Sequence, residues 1–323
     1  MSVLKKISAL FVLLLLIVFG LDKLFYFGLL NNKNLKSSYV FQHSINSKVL
    51  IHGPCEPLWM VDPGILDSVA KINSYNLALS HSDFADNFLH LHLYLKKNIP
   101  PQILLLYVTP ESIDKRFNAF NTYRFIPFLS DDTVKEVIKE MDSQFYNYSF
   151  IPFIRYAYFN KQITFQAMQG LKHFITKKEK PYFENGFEPP AKITWDNHLE
   201  DMQKQYPEGF EFKIDTLRIK YLKKIISLAK SKNIKTILYE SPVLNESLEH
   251  LKNRNEIILQ LQKIADESQT EFILFKNDYL SSSRKFYISS LNLNEKGLRI
   301  FNDSLAKFLD KEIKKNVVSK TKF

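Results

Sequence analysis

The residues best suited to covalent chemistry are a lone cysteine and a histidine that follow two apolar runs. Cys55 comes two residues after the run 48–53, and His81 directly follows the run 75–80. If the runs are parallel strands, both side chains lie at carboxyl ends of neighbouring strands, where a thiol and an imidazole can form a dyad. The competing interpretation is a small buried cysteine and a polar loop histidine that never meet.

Other polar residues near these positions could assist such chemistry. Asp83 or Glu56 could orient the imidazole of a Cys55–His81 dyad. Glu240 ends a later apolar run and would point into the crevice at the carboxyl ends of the strands, where Cys55 is expected. We therefore expect Glu56, Asp83 and Glu240 as candidate substrate-binding residues, with capping of a loop or helix as the simpler role for Asp83 and Glu240.

Composition excludes several cofactor classes. The chain has one Cys, which rules out a disulfide framework and CxxC-type metal sites. It has 8 Gly and neither a GxGxxG nor a GK[ST] string, so no dinucleotide or P-loop cradle is predicted. His90 and His92 lie two residues apart on a predicted helix, and their rings therefore turn to different faces. We expect neither a metal nor a cofactor.

The charge pattern bears on partners. The net charge is +10, from 44 Lys and Arg against 34 Asp and Glu. The basic residues are mostly lysines dispersed through mixed-charge segments such as 218–235, and they form no arginine stripe interleaved with aromatic residues. This pattern does not predict a nucleic-acid partner.

The elements that must position the candidate residues follow an α/β rhythm. Short apolar runs alternate with helical stretches, as in a parallel sheet that is covered on both faces. We predict five strands at 48–53, 75–80, 103–108, 236–240 and 271–275. We predict helices at 63–72, 84–97, 214–232, 246–268 and 297–311. The sites of such three-layer folds lie beyond the carboxyl ends of the strands.

The N-terminus reads as a membrane anchor. Residues 7–21 carry no charge, and the apolar pattern resumes after Asp22 and Lys23 to residue 30. These 24 or so residues are enough to cross a hydrocarbon core of about 30 Å. Lys5 and Lys6 precede the run and keep the N-terminus in the cytoplasm. No small-residue cleavage site follows, which favours an uncleaved anchor over a signal peptide.

Between residues 113 and 213 the α/β rhythm stops in a stretch crowded with Phe and Tyr. Two near-copies of one string occur there, RFIPF at 124–128 and SFIPF at 149–153. The aromatic residues either form the core of a helical subdomain or present an apolar surface to a membrane or a membrane partner.

Four strings resemble the membrane-anchored SGNH-hydrolase-like proteins that accompany membrane-bound O-acyltransferases in cell-surface polymer modification. They are VLIHGPCEPLWMVDP (49–63), YNLALSHSD (75–83), ILLLYVTP (103–110) and LNEKG (293–297). The resemblance covers most of residues 48–112 and 214–311. The family it points to is similar in layout to the proteins of alginate acetylation and teichoic-acid D-alanylation. It implies a three-layer SGNH-hydrolase-like α/β sheet with a helical, aromatic-rich insertion, preceded by one transmembrane helix.

The resemblance also implies a catalytic site that has lost its triad. The family's nucleophile position falls on Cys55, its second-block Gly on His81, and the Asp and His of its closing Asp-x-x-His turn on Ser289 and Asn292. A thiol can replace a hydroxyl as nucleophile. Asn292 cannot take up a proton as imidazole does, and Ser289 cannot stabilise an imidazolium.

The expected organisation divides the chain into consecutive segments. They are 1–30, the cytoplasmic tip and transmembrane anchor; 31–47, a linker; 48–112, the first half of the core; 113–213, the helical insertion; 214–312, the second half of the core; and 313–323, a basic tail.

Three functions remain open at this point. The first is an SGNH-like accessory protein of envelope polysaccharide or polymer acylation without esterase activity, anchored once in the bacterial inner membrane with its main domain periplasmic or extracellular. Its partners, implied by the resemblance, are a membrane-bound O-acyltransferase and a glycan or cell-surface polymer. The second is an active thiol esterase or O-acyltransferase that uses Cys55 and His81. The third is a structural subunit of an envelope membrane complex.

Overall fold

A computed structural model describes residues 3–116, 120–158, 161–177, 184–190 and 195–320. The chain divides into two compact units. The helical unit comprises Met1–Ser44 and Phe120–Glu184, and the α/β unit comprises Ile45–Ala119 and Asn185–Phe323.

The α/β unit is built on one parallel sheet in the order β2-β1-β3-β4-β5. Its strands are β1 (Val49–His52), β2 (Ser74–Asn76), β3 (Ile103–Tyr107), β4 (Lys235–Glu240) and β5 (Glu271–Leu274). Its helices are α3 (Cys55–Met60), α4 (Pro63–Ala70), α5 (Phe84–Leu95), α10 (His198–Gln205), α11 (Thr216–Ser231), α12 (Asn245–Leu248), α13 (Arg254–Glu267), α14 (Asp278–Ser281) and α15 (Glu295–Lys320).

Helices cover both faces of this sheet. Alternate residues such as Ile51, Leu105 and Ile237 are fully buried in a core shared with α4 and α15. Because side chains alternate along a strand, the intervening residues point to the opposite face, where α5 and α11 pack together. The predicted three-layer α/β fold is therefore confirmed. Four strands form close to their predicted bounds, but β2 spans Ser74–Asn76 and keeps only two residues of the run predicted at 75–80.

The helical unit contains the N-terminal helix and the centre of the aromatic stretch. Its helices are α1 (Val3–Leu30), α2 (Lys36–Val40), α6 (Asp132–Met141), α7 (Ser143–Tyr146), α8 (Ile154–Ala157) and α9 (Lys161–Ile175). Within the described residues, α1 is the one helix long and apolar enough to cross a membrane.

Helix α1 crosses α9 at two glycines. A Cβ atom on Gly170 would lie 1.7 Å from the carbonyl oxygen of Gly28, and one on Gly28 would lie 2.3 Å from that of Ala167. The two backbones can approach this closely because neither glycine carries a side chain.

The structure differs from the sequence expectations at several element boundaries. The single helix predicted at 246–268 is broken, because residues 250–252 pair with Phe210 through two backbone hydrogen bonds of 2.8 and 2.9 Å. Residues 196–207, too polar to place from sequence, contain α10. The closing helix α15 continues through much of the expected tail to Lys320, and residues 321–323 lie outside the described part of the chain.

Candidate functional site

The candidate site lies where three neighbouring strands end. Strand β1 ends at His52, β3 at Tyr107 and β4 at Glu240, and the three strands are parallel and adjacent. Their carboxyl ends therefore meet along one edge of the sheet, at the place where sites of this architecture form.

Gly53 makes the turn that brings Cys55 to this edge. Its φ of +144° belongs to a region that side chains disfavour, and a Cβ atom there would lie 2.7 Å from Cβ of Tyr107. Pro54 follows, and Cys55 becomes the first residue of the short helix α3.

Cys55 and His81 are in contact through the backbone of the histidine. The N–H of His81 donates to Sγ of Cys55 over 3.3 Å. His81 has a φ of +47° and is exposed. This contact places a peptide N–H of His81 on the sulfur.

Burial and charge keep the Cys55 thiol protonated. Burial raises its pKa, and the neighbouring carboxylate of Glu56 raises it further, against smaller lowering effects of the N–H groups of His81 and Ser82. A reactive cysteine needs the opposite environment, one that favours the thiolate.

Ser289 and Asn292 form a closed turn of their own. Oγ of Ser289 accepts hydrogen bonds from the backbone N–H of Asn292 at 3.2 Å and from its Nδ2 at 3.1 Å. Oδ1 of Asn292 is buried and has no hydrogen-bond partner among the described residues. Neither side chain is a base, so the pair cannot accept the proton of a nucleophile.

One small cavity joins the segments that carry Cys55 and Asn292. Glu56 and Leu291, the immediate neighbours of those residues, both line it. Its volume of about 10 Å³ leaves room for roughly one water molecule. The other residues lining it are Tyr107, Thr109, Glu111, Glu240, Val243, Leu251 and Arg254.

Three of the nine residues that line this cavity are glutamates, and one is an arginine. Arg254 binds Glu240 through two hydrogen bonds of 3.1 and 2.6 Å. Burial raises the pKa of Glu240 to about 7 against the lowering effect of Arg254. Burial, with a smaller contribution from Glu111, also raises the pKa of Glu56 to about 7. Oε2 of Glu56 is buried without a hydrogen-bond partner in the described part of the chain.

The three predicted substrate-binding residues have different environments. Glu56 and Glu240 line the small cavity. Asp83 instead caps α5: its Oδ1 accepts from the N–H groups of Ala85 and Asp86 at 2.8 and 3.1 Å, in a reciprocal capping box with Asp86. This contact is the helix-capping role anticipated as the simpler alternative.

A larger pocket of about 230 Å³ adjoins the small cavity and shares three of its residues, Glu111, Leu251 and Leu291. On its wall, Nδ1 of His198 lies 2.9 Å from Oγ of Ser290. The remaining residues lining this pocket are Asp201, Met202, Gln205, Tyr206, Phe210, Phe212 and Ser247. The aromatic walls and the few polar groups are typical of a pocket for a small ligand.

Sequence reasoning did not find this pocket. His198 had no carboxylate or cysteine at a recognisable spacing, and its partner Ser290 lies 92 residues away. Arg254 was missed for the same reason. The nearest signal was the position of Ser290 between Ser289 and Asn292, on which the resemblance places the family's closing Asp-x-x-His turn.

The remaining histidines near the sheet have structural contacts. Nε2 of His52 lies 2.8 Å from the carbonyl oxygen of Asn87, and Nδ1 of His90 lies 3.1 Å from that of Leu77. Among the described residues, no group of three or more His, Cys, Asp or Glu side chains is arranged to hold a metal ion.

A solved structure is distantly similar to this chain. No family model matches the chain. No curated protein matches it either. The solved structures that match include a chain described as a lipolytic protein of the G-D-S-L family from Desulfitobacterium hafniense DCB-2, with a TM-score of 0.38 and 11% identity over 81% of this chain and 99% of that one. The structure defines a three-layer α/β protein with a small cavity and an adjoining larger pocket near its strand ends, and with one long apolar helix.

Proposed function

We propose that this protein is an accessory component of cell-envelope polymer acylation that no longer hydrolyses esters. Helix α1 anchors it in the bacterial inner membrane, and the α/β unit lies on the periplasmic or extracellular side, as Lys5 and Lys6 before the span favour. The acyltransferase partner and the polymer rest on the sequence resemblance to SGNH-hydrolase-like accessory proteins. The strand order and the position of Cys55 beyond β1 are compatible with that resemblance.

The observation that carries the loss of esterase activity is the environment of the Cys55 sulfur. An acyl-transfer site needs an activated nucleophile and N–H donors aimed at the oxygen of the reacting carbonyl. Here the N–H of His81 is aimed at the sulfur itself. The cavity lined by the adjacent Glu56 has room for about one water molecule and is itself too small for an acyl group.

Genetic complementation tests this proposal. In a strain lacking the gene, we expect the acyl content of the cell-surface polymer to fall. Wild-type protein and Cys55→Ala should restore it equally, because a thiol with no chemical role can be replaced. Failure of Cys55→Ala to complement, with normal protein levels, would contradict the proposal.

The alternative function, an active thiol enzyme, is favoured by one observation, the proximity of Cys55 and His81. It predicts that Cys55→Ala and His81→Ala both abolish complementation, and that an acyl-type thiol probe labels Cys55 in the wild type. His81→Ala keeps the backbone N–H that touches the sulfur, so this variant tests the ring alone.

Filling the larger pocket distinguishes a ligand-binding accessory protein from a purely structural subunit. Met202 lines that pocket, and Met202→Trp would occupy part of its 230 Å³. An accessory protein that binds a ligand there loses complementation, whereas a purely structural subunit keeps it. Glu249→Gln, a change at an exposed residue that does not line the pocket, is the matched control.

A further inference from the structure

The helical unit carries a second apolar surface beside the N-terminal span. Five large apolar side chains between Tyr148 and Tyr158 are exposed: Tyr148, Phe150, Ile151, Ile154 and Tyr158. Single exposed apolar residues are ordinary, but five within eleven residues form a patch that needs a partner.

The two near-copies of one string have similar residues but differ in how far their first phenylalanine is exposed. In RFIPF (124–128), Phe125 is completely buried in the helical unit. In SFIPF (149–153), the matching Phe150 is 72% exposed. The second copy therefore contributes its first aromatic ring to the surface rather than to the core.

An ion pair fixes the depth of this patch relative to the span. Asp22 of α1 is buried and accepts two hydrogen bonds from the guanidinium of Arg155, as well as one of 2.8 Å from the backbone N–H of Phe153. The ring of Phe153 also contacts Phe25 at 5.6 Å between centroids. The patch is thus held at the level of residues 22–25 of α1.

That level lies at the outer end of the hydrocarbon core, from which the exposed Lys23 can reach the headgroups. The charge-free run 7–21 is only ~22 Å long at 1.5 Å per residue, whereas a bilayer core of ~30 Å takes about 20 residues. A core that begins at Ile7 therefore reaches to about Tyr26, beyond Asp22. A carboxylate at such a depth requires a partner, and Arg155 provides it.

The C-terminal part of α9 carries further exposed apolar side chains beside α1. Phe174 and Ile175 are exposed, and the ring of Phe174 lies 4.8 Å from that of Phe27. Lys172 and Lys177 are exposed at the same end, where they can meet anionic headgroups. Apolar residues continuous with a span, flanked by lysines, are the pattern of a segment that lies in a membrane interface.

We infer that the segment from Tyr148 to Tyr158, together with the end of α9, inserts into the outer leaflet of the same membrane that α1 crosses. The occupant of this surface is lipid, because the patch is held against α1 at the outer end of its apolar span. The helical unit is then a partly embedded platform rather than a single anchoring helix. This inference rests on the proposed anchoring by α1 and is independent of the chemistry at Cys55.

Site-directed spin labelling of the full chain in lipid nanodiscs tests the insertion. Cys55 is the sole cysteine, so Cys55→Ser gives a background for one label at a time. Phe150→Cys and Ile154→Cys report on the patch. Ile99→Cys, 70% exposed in the α/β unit, is the aqueous control. Leu13→Cys and Leu16→Cys report on the span itself.

The readout is accessibility to oxygen, which concentrates in lipid, against a water-soluble nickel chelate. We expect the oxygen-to-nickel ratio at both patch positions to shift away from that of Ile99 and towards that of Leu13 and Leu16, in proportion to their depth. A water-like ratio at the patch, or protection from both reagents by a protein partner or second copy, would overturn the inference. Water-like values at Leu13 and Leu16 would instead remove the proposed anchoring. Two patch positions, each checked by circular dichroism, keep the test valid if one variant misfolds.

Discussion

The backbone N–H of His81 donates to Sγ of Cys55 over 3.3 Å. A peptide N–H at this place would be well positioned to stabilise an oxyanion, and in this protein the thiol itself accepts the hydrogen bond. Burial and the charge of Glu56 hold that thiol in its neutral form. The contact therefore resembles structural packing of a cysteine more closely than activation of a nucleophile.

We predict that Cys55 reacts slowly with alkylating reagents near neutral pH. Its pKa is raised, so the thiolate fraction at pH 7 is smaller than that of a free cysteine. Glu56→Gln removes a negative charge and should shift the pH profile of iodoacetamide labelling to lower pH. Mass spectrometry of labelled protein from pH 6 to 10 measures this, with Glu249→Gln as control. Labelling of the wild type at the rate of a free thiol at pH 7 would refute the assignment.

The same variant tests the buried acid cluster through stability. Burial raises the pKa of Glu56 from 4.5 to about 7. The folded protein therefore holds this proton more tightly than the unfolded chain does. Its contribution to the free energy of unfolding is fully present below about pH 4.5 and is lost as the pH rises through about 7.

We expect Glu56→Gln to raise the free energy of unfolding of the α/β unit at pH 8 by on the order of 1–3 kcal/mol, with little effect at pH 4.5. Part of the pH dependence should persist, because Glu240 also has a pKa of about 7. Thermal unfolding of the full chain in detergent across this pH range measures the effect. Equal stabilisation at both pH values would rule out the titration as its cause.

Removal of Glu240 from its pair with Arg254 should lower the free energy of unfolding, whereas Glu56→Gln raises it. Glu240→Ala leaves the guanidinium of Arg254 buried without its partner. Loss of one member of a buried pair costs about 3–5 kcal/mol, whereas a well-packed apolar replacement of both members is often tolerated. We therefore expect Glu240→Leu/Arg254→Met to recover much of the stability lost in Glu240→Ala, as measured by urea unfolding. Additive losses in the double variant would contradict this.

The glycines at the crossing of α1 and α9 give a test of packing. Gly170→Ala places a Cβ atom 1.7 Å from the carbonyl oxygen of Gly28, so the helices must separate. We expect a loss of about 1–3 kcal/mol in the helical unit, seen as faster proteolysis between residues 120 and 177 in detergent. Gly20→Ala lies in α1, the helix that α9 crosses, with nothing within 4 Å of the new Cβ atom, and it should be neutral. A similar effect of both variants would show that the crossing does not stabilise the unit.

Much of the α/β unit could be predicted from its sequence because the signals are local. The strand predicted at 103–108 is β3, which ends one residue earlier, at Tyr107. Asp62 is the N-cap of α4, and Pro63 is its first residue. The helix predicted at 246–268 was wrong at residues 249–253, where pairing with Phe210 outweighed a helical pattern. Local preference is a weak term, and tertiary contacts override it.

The sequence by itself determined the order of strands and helices, the apolar N-terminal helix and the positions at which Cys55 and Glu240 leave the sheet. The tertiary structure decided what those residues meet: Cys55 a peptide N–H, Glu240 the guanidinium of Arg254, and Asp22 that of Arg155. The division has a physical reason. Strands and helices follow from periodic apolar residues a few positions apart. The protonation and pairing of a buried polar group depend on partners that can be more than a hundred residues away, and on how much water the packing leaves beside it.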